Sequence, residues 1–520
     1  MKKSILYIAI TVLTFFGCTS DFESVNTNPH GISNEDLEQM NNHIGGEFAP
    51  MFLNVFRIID RFQLQQNLNG DHYSGYMATP TPFRGGINNT TYALVDGWNR
   101  RAWEYSYVNV MPSSRNITNI IELSGDPAGE KFIHLSNIIK VAGMHRVSDV
   151  FGPIRYTKYN TFETTAEYDS QEEVYTAFFK ELGEAIDFLA NYENDVTFKP
   201  FDLSIAEGNI AIWRSFANSL RLRLAIRVSK VDPDLAKTQG ELALASNAGF
   251  INDSFIINTG YDHPLKIISG SWGDIRMGAL MESILLGYND QRITKYFFEA
   301  TDPAIGGGYK GIRSGIDLVA KEKYLGHSAI GAIADEKNIQ WMSASEVFFL
   351  KAEAALRGWT GAGTAKDNYE EGVKASFQQH GISGVDDYLA DSTSTPLDYE
   401  DVLNSTYSIA YGSDVKIAYD DSTSNEEQLE QIITQKWIAM FPDGMEAWSE
   451  FRRTGYPRVF PVAINNSAGT IDTDIQIRRL NFPDTEVNTN GENVTKAIEY
   501  LGGPDTGGTR LWWDVEGGNF

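Results

Sequence analysis

Apolar positions along this chain recur mostly at helical rather than alternating spacing. In 343–357, Val347, Leu350 and Ala354 fall at i, i+3 and i+7, one face of a helix. Segment 365–380 carries Ala365, Tyr369, Gly372 and Ala375, small and large residues on one face, and Gly358, Gly361 and Gly363 separate the two. The pair has tetratricopeptide proportions, two helices in about 34 residues with small residues at the crossing, though no exact repeat is present. Further helices are predicted from residue 33, through 48–66, and over 130–148, 170–192, 204–229, 233–248 and 425–440. Ser170 is placed as an N-cap with Glu172 and Glu173 in the first turn. Residues 67–99 are rich in Gly, Thr, Pro and Asn and read as a long irregular loop, a length usually kept for function. Residues 250–340 mix glycine-rich turns with short apolar runs, and the tail from Pro442 reads as turns. The prediction is a mainly α protein with long irregular loops and few short strands.

The N-terminus reads as an address rather than a fold element. Lys2 and Lys3 precede a short apolar run, 5–16, too short to span a bilayer and suited to a signal segment. Gly17-Cys18 follows, a lipoprotein cleavage site in outline with Cys18 as the lipidated residue. Phe15 and Phe16 stand where such sites usually carry Leu and a small residue. The alternatives are an ordinary secretion signal with an incidental cysteine, or a short anchor helix. Asp21 and Glu23 place charge beside the lipid, either as an export signal or as a solvated tether. Residues 1–17 are therefore expected as signal peptide, 18–32 as a lipidated tether, and 33–520 as a single domain with loop-rich insertions at about 67–103 and 250–340.

Composition narrows the function. A formal net charge of −26 repels polyanions and argues against nucleic acid. One cysteine among 520 residues leaves no intramolecular disulfide and no cysteine metal cluster. Gly306 to Gly311 fits G-x-G-x-x-G but lacks the strand-turn-helix setting of a dinucleotide site. No G-x-x-x-x-G-K, H-E-x-x-H or G-x-S-x-G occurs. The eight histidines are scattered. Asp414, Asp420, Asp421, Asp472 and Asp474 are either solvated surface groups or a place for structural calcium; no other cofactor or metal is expected.

Several stretches share one likeness. Arg146-Val-Ser-Asp-Val-Phe-Gly-Pro-Ile-Arg-Tyr156 resembles the helix end and turn of SusD/RagB proteins, with Arg155 where that pattern usually has Pro. The segments 213–225 and 345–358 are similar to two long helices of that family. Gln435 to Trp448, continued by Phe451-Arg-Arg-Thr-Gly-Tyr-Pro457, resembles it most specifically, and Arg479-Leu-Asn-Phe-Pro483 and Leu511-Trp-Trp-Asp514 complete the order. The resemblance implies a scaffold of four tetratricopeptide-like helix pairs, attachment by lipid to the outside of the outer membrane, and service as the hinged lid of a SusC-like TonB-dependent transporter. It implies binding of a nutrient, most simply an oligosaccharide, and no catalysis. Within the same motifs, Lys436, Glu446, Arg452 and Arg453 with Trp437 and Trp448 read as a packing and charge lock, or as ligand contacts. Asp149 reads as fixing the turn that follows it.

Sugars present CH faces that stack on aromatic rings and hydroxyls that meet polar side chains. Two irregular stretches offer both. The first supplies Asp71, Tyr73, Tyr76, Arg84, Asn88, Trp98 and Trp103; the second supplies Tyr261, Trp272, Asp274 and Arg276, with Tyr309 in the glycine loop. Each of these is a candidate ligand contact or a packing residue. A surface glycoside hydrolase and a ligand-free helical adaptor remain the competing readings.

Overall fold

The computed structural model describes residues 41–58, 61–159 and 165–520; Cys18 and the expectations for 1–32 lie outside them. The chain divides at Gly46, and Glu47–Phe520 is one compact unit. Its principal helices are α1 (Phe48–Val55), α2 (Met111–Ser124), α3 (Glu130–Phe151), α4 (Gln171–Leu189), α5 (Ile210–Arg227), α6 (Pro233–Ala245), α7 (Ala279–Gly287), α8 (Ala344–Leu356), α9 (Ala365–Gln379), α10 (Asn425–Ala439), α11 (Gly444–Thr454) and α12 (Gly491–Leu501). Strands are few and short: β1 (Met77–Ala78) pairs antiparallel with β3 (Arg276–Met277), and β2 (Phe255–Asn258) with β4 (Asn338–Met342). No described helix is long and apolar enough to cross a membrane.

Local signals place the helix starts. Ser170 and Glu173 form a reciprocal capping box at α4, as Ser424 and Glu427 do at α10. Ser343 and Thr364 accept backbone N–H groups at the starts of α8 and α9. The expected 204–229 helix begins only at Ile210, because Asn209 caps it and Asp202 holds the preceding turn through the backbone of Ser204 and Gly208 and the Trp213 indole. The expected 48–66 helix ends at Val55, and a wide π-type helical turn, Gln63–Asp71, follows. The tail contains α11 and α12 where only turns were expected.

Consecutive helices pack in pairs along the chain: α2 with α3, α3 with α4, α4 with α5, α5 with α6, and α8 with α9. The α8–α9 crossing rests on a small residue, since a Cβ at Gly372 would come within 2.8 Å of the Phe349 ring. α5 and α10 both pack on α8, which closes the helix pairs into one core. Trp213, Trp437, Trp448 and Trp513 are buried there.

The middle of this core is charged. Glu346 and Glu353, seven residues apart on α8, face inward. Arg223 binds Glu346 through two hydrogen bonds of 2.7 and 2.6 Å. Arg453 binds Glu353 at 2.6 and 2.7 Å and Glu450 at 2.7 Å. Arg227 donates to Glu450 at 2.9 Å and to Glu446, and Lys436 lies 3.2 Å from Glu450. Burial alone would raise these carboxyls, but the surrounding guanidinium and ammonium groups hold Glu446 and Glu450 below the usual carboxylate range. Arg452 stacks on Trp448 at 3.6 Å and on Trp513 at 4.9 Å. The cluster is a packing and charge lock, wider than the sequence suggested. Asp149 belongs to this interior rather than to the turn after it: it accepts from Tyr175 at 2.5 Å and the Trp513 indole at 2.9 Å, 3.5 Å from Arg227.

The Gln63–Asp71 turn crosses α11 at backbone distance. A Cβ on Gly70 would lie 2.7 Å from Met445 Cα, and one on Gly444 would lie 2.3 Å from Asp71 Cα. Glycine on both sides is what this crossing requires. It anchors the irregular chain after residue 71 directly onto the charged core.

Candidate functional site

From that anchor the chain runs into β1, whose pairing with β3 sets Met77 opposite Met277 and Ala78 opposite Arg276. Two stretches almost two hundred residues apart in sequence thereby become neighbours. Beneath them Ala78 packs with Ile312, Ile316 and Tyr324. Beyond β1 the chain reverses at Arg84 and Gly85, both with positive φ. The return is pinned by buried amides: Asn89 donates to Asn69 and Asn99 at 2.7 Å each and accepts the Val95 N–H at 2.8 Å. Asn88 is likewise buried and caps the short turn Asn89–Thr91. This holds Phe83 and Trp98 edge to face at 5.8 Å, with Arg84 exposed at the tip.

On the other stretch Trp272 stands just before β3, 37 % exposed. Its backbone carbonyl accepts from Lys321 at 2.7 Å. Asp274 gathers Lys321 at 2.6 Å, the Thr81 hydroxyl at 2.6 Å and the Gln63 amide at 3.2 Å. The Thr81–Asp274 bond ties the two stretches together. Arg276 lies behind them, donating to the Leu325 carbonyl at 3.0 and 2.9 Å and to those of Ser269 and Ile275. The arrangement offers an exposed indole beside an ordered ammonium, carboxylate and hydroxyl, which suits a ligand with apolar faces and hydroxyl rims.

For five residues of the expected set the structure changes the reading. Asp71 is buried at the α11 crossing, accepting from Asn67 and the Gly444 N–H at 3.2 Å each. Tyr73 packs on Trp448 at 5.0 Å, and Tyr76 on Trp437 at 4.8 Å with its hydroxyl donated to the Trp437 carbonyl. Trp103 sits among Tyr107, Phe151 and Tyr168. Arg276 is a buried clamp on backbone carbonyls. Their surroundings are occupied by protein, so they shape the loops from within. Arg84, Trp98 and Trp272 keep exposed surface. Tyr261 is 48 % exposed, and Tyr309 is half-buried in the glycine loop; no contact among the described residues joins either to Trp272 or Trp98. Thr81, Phe83 and Lys321 were not singled out from sequence. Thr81 and Phe83 lie in the Thr-Pro-Thr-Pro-Phe run, a detectable loop signal, whereas Lys321 has none. Among the described residues no three His, Cys, Asp or Glu converge as a metal site; Asp420 and Asp472 accept the N–H groups of their own turns.

Residues 24–514 match the family of Susd and RagB outer membrane lipoproteins, SusD-like. The chain belongs to the SusD/RagB family. Among solved SusD-like structures, a chitin-binding SusD homolog from Flavobacterium johnsoniae is 47 % identical, with a TM-score of 0.88 over 92 % of this chain and 100 % of that one. A SusD homolog from Bacteroides vulgatus is 38 % identical, with a TM-score of 0.83 over 94 % and 100 % of the two chains. One from Bacteroides uniformis is 36 % identical, with a TM-score of 0.84 over 91 % and 99 %. No curated protein matches. The SusD/RagB family consists of nutrient-binding outer-membrane lipoproteins on a helical scaffold, and SusD homologues are binding proteins.

Proposed function

We propose that this protein is a lipid-anchored glycan-binding lid of a SusC-type TonB-dependent transporter, held on the cell exterior through Cys18, and that the Trp272 group receives the glycan. The observation that carries the ligand reading is the exposed Trp272 indole set beside Asp274, Thr81 and Lys321 on a strand-paired base. The chitin-binding relative makes β-linked N-acetylglucosamine oligosaccharides the first ligands to test. Binding is favoured over hydrolysis because the carboxylate of this group is engaged by three donors, which leaves it poorly placed to exchange protons with a glycosidic oxygen. The reading invokes no cofactor.

Titration with chitin hexasaccharide is expected to give saturable binding without product release. Trp272→Ala is expected to weaken binding at this site about 30-fold, roughly 2 kcal/mol, the cost of losing a central aromatic anchor. Unchanged affinity in that variant would remove Trp272 from the site, and release of shorter sugars would favour the hydrolase. For the lid role, mild-detergent isolation of the full-length protein from native outer membranes is expected to bring down a barrel transporter in equal amount. Recovery of the lipoprotein alone would point to a free-standing binder.

A further inference from the structure

A different part of the surface carries a second constellation. Gly152, with φ of 88°, ends α3, and a Cβ there would lie 2.8 Å from Leu501 and 3.1 Å from Leu511. The end of α12 and the C-terminal stretch therefore converge on one point, and their neighbours Tyr500 and Trp512 line a cleft of about 820 Å³ over the first turns of α4. Tyr500 is 48 % exposed. Trp512 is half-buried and held in place: its backbone N–H donates to Gln171 at 3.0 Å, and its ring meets Tyr175 at 6.0 Å. Gln171 is itself fixed by the Ser148 carbonyl at 2.8 Å. The phenol of Tyr500 and the indole N–H of Trp512 have no partner among the described residues. Glu172, Thr176 and Lys180 stand exposed along the rim.

We propose that this cleft is a second carbohydrate-binding site, with Tyr500 and Trp512 as its stacking surface and Glu172, Thr176 and Lys180 as the groups that meet sugar hydroxyls. The chemistry favours a neutral ligand. In the first turn of α4 the Glu173 N–H is met by Ser170 in the capping box, and Glu172 and Glu173 crowd its start, so an anion gains little there. Two aromatic surfaces with unused polar edges suit a molecule with CH faces and hydroxyl rims. The volume lies within the range of about 300–1,000 Å³ typical of small-ligand clefts. No residue of the Trp272 group lines it, so the two sites can be occupied together. The inference rests on the glycan reading above and adds a second point of attachment: a long chain held at both sites gains avidity that a short oligosaccharide does not.

The test compares wild type, Trp272→Ala, Tyr500→Ala, Thr176→Trp and the combinations with Trp272→Ala. Each is titrated with the hexasaccharides of chitin, cellulose and maltose and assayed for retention on the corresponding insoluble polymers. Thr176 is exposed and bonds only within its own helix, so Thr176→Trp fills the cleft without touching the core. Expected is a weak saturable phase that survives in Trp272→Ala and disappears when Tyr500→Ala or Thr176→Trp is added, with polymer retention falling at least ~10-fold in either cleft variant alone. If Trp272→Ala abolishes all binding while Tyr500→Ala and Thr176→Trp behave as wild type, the second site is overturned and the first stands. If Tyr500→Ala and Thr176→Trp abolish binding that Trp272→Ala leaves intact, the cleft is supported and the Trp272 site falls. If wild type binds none of the probes, both fall.

Discussion

Replacing Arg453 by alanine is expected to cost about 3–5 kcal/mol of stability, the range for removing one partner of a buried ion pair. The side chain is fully buried and makes hydrogen bonds of 2.6 to 2.7 Å to both Glu353 and Glu450. Without it two carboxylates remain in the core. Glu450 keeps Lys436 and Arg227, but Glu353 keeps only Arg357 at 2.8 Å. The lost energy is that of stranded charge more than that of the contact itself. The acid side of the same cluster has a definite sign. Because Glu446 and Glu450 are held below 4.5, their contribution is complete above that value and is lost as pH falls through their folded-state titration. Lys374→Ala is the control: its 2.9 Å pair with Glu371 is solvent-exposed, and its loss is expected to cost under about 1 kcal/mol. Denaturant midpoints at neutral pH separate the two, and equal midpoints would refute the charge lock as a source of stability.

Asp71→Asn is expected to act in the opposite direction, stabilising the protein at pH 8 relative to pH 4. Burial raises the Asp71 carboxyl from 3.8 to about 7, aided by the negative charge of Asp443, against smaller opposing effects of Asn67, the Gly444 N–H and Arg146. A group whose folded-state value is raised favours folding while it holds its proton. The unfolded chain releases that proton near 3.8, so stability falls as pH rises from about 4 to 7 and is level beyond. The full change is on the order of 4 kcal/mol. Asparagine is close in shape, can accept the Gly444 N–H and carries no charge, so it removes the slope. The buried histidines His72 and His263, both lowered to about 4 by burial, contribute the reverse slope over part of the same range. The informative quantity is therefore the difference between variant and wild type, in which they cancel. Parallel pH profiles would show that Asp71 is not the titrating group.

Much of the scaffold was legible because its signals are local. Ser170, Ser343 and Ser424 each stand where a helix begins, and the face at Val347, Leu350 and Ala354 repeats within a few residues. α11 was hidden by Pro442, Gly444 and Gly455, which read as turn punctuation, and by Glu446, Glu450, Arg452 and Arg453, charged residues buried beside Met445, Ala447, Trp448 and Phe451 where a sequence reading places charge in solvent. α2, absent from the helices predicted above, does carry a start signal, Pro112 in its first turn. In the candidate site, aromatic content alone could not separate Tyr76, wedged against Trp437, from Trp272, open to solvent. Tyr76 is buried by Trp437 and Phe441, partners more than 350 residues away that leave no period in the sequence.

The Thr81–Asp274 hydrogen bond and the β1–β3 pairing behind it also constrain how such a protein can acquire a new diet. Neither loop is an independent module: a change at Thr81 takes a donor from Asp274, and a change at Asp274 takes a partner from Thr81, Lys321 and Gln63 together, leaving Lys321 only the Trp272 carbonyl. Substitutions that retune the ligand should therefore arrive in pairs across 193 positions of sequence. A specificity transplant between relatives should succeed when both loops travel together and fail when one travels alone.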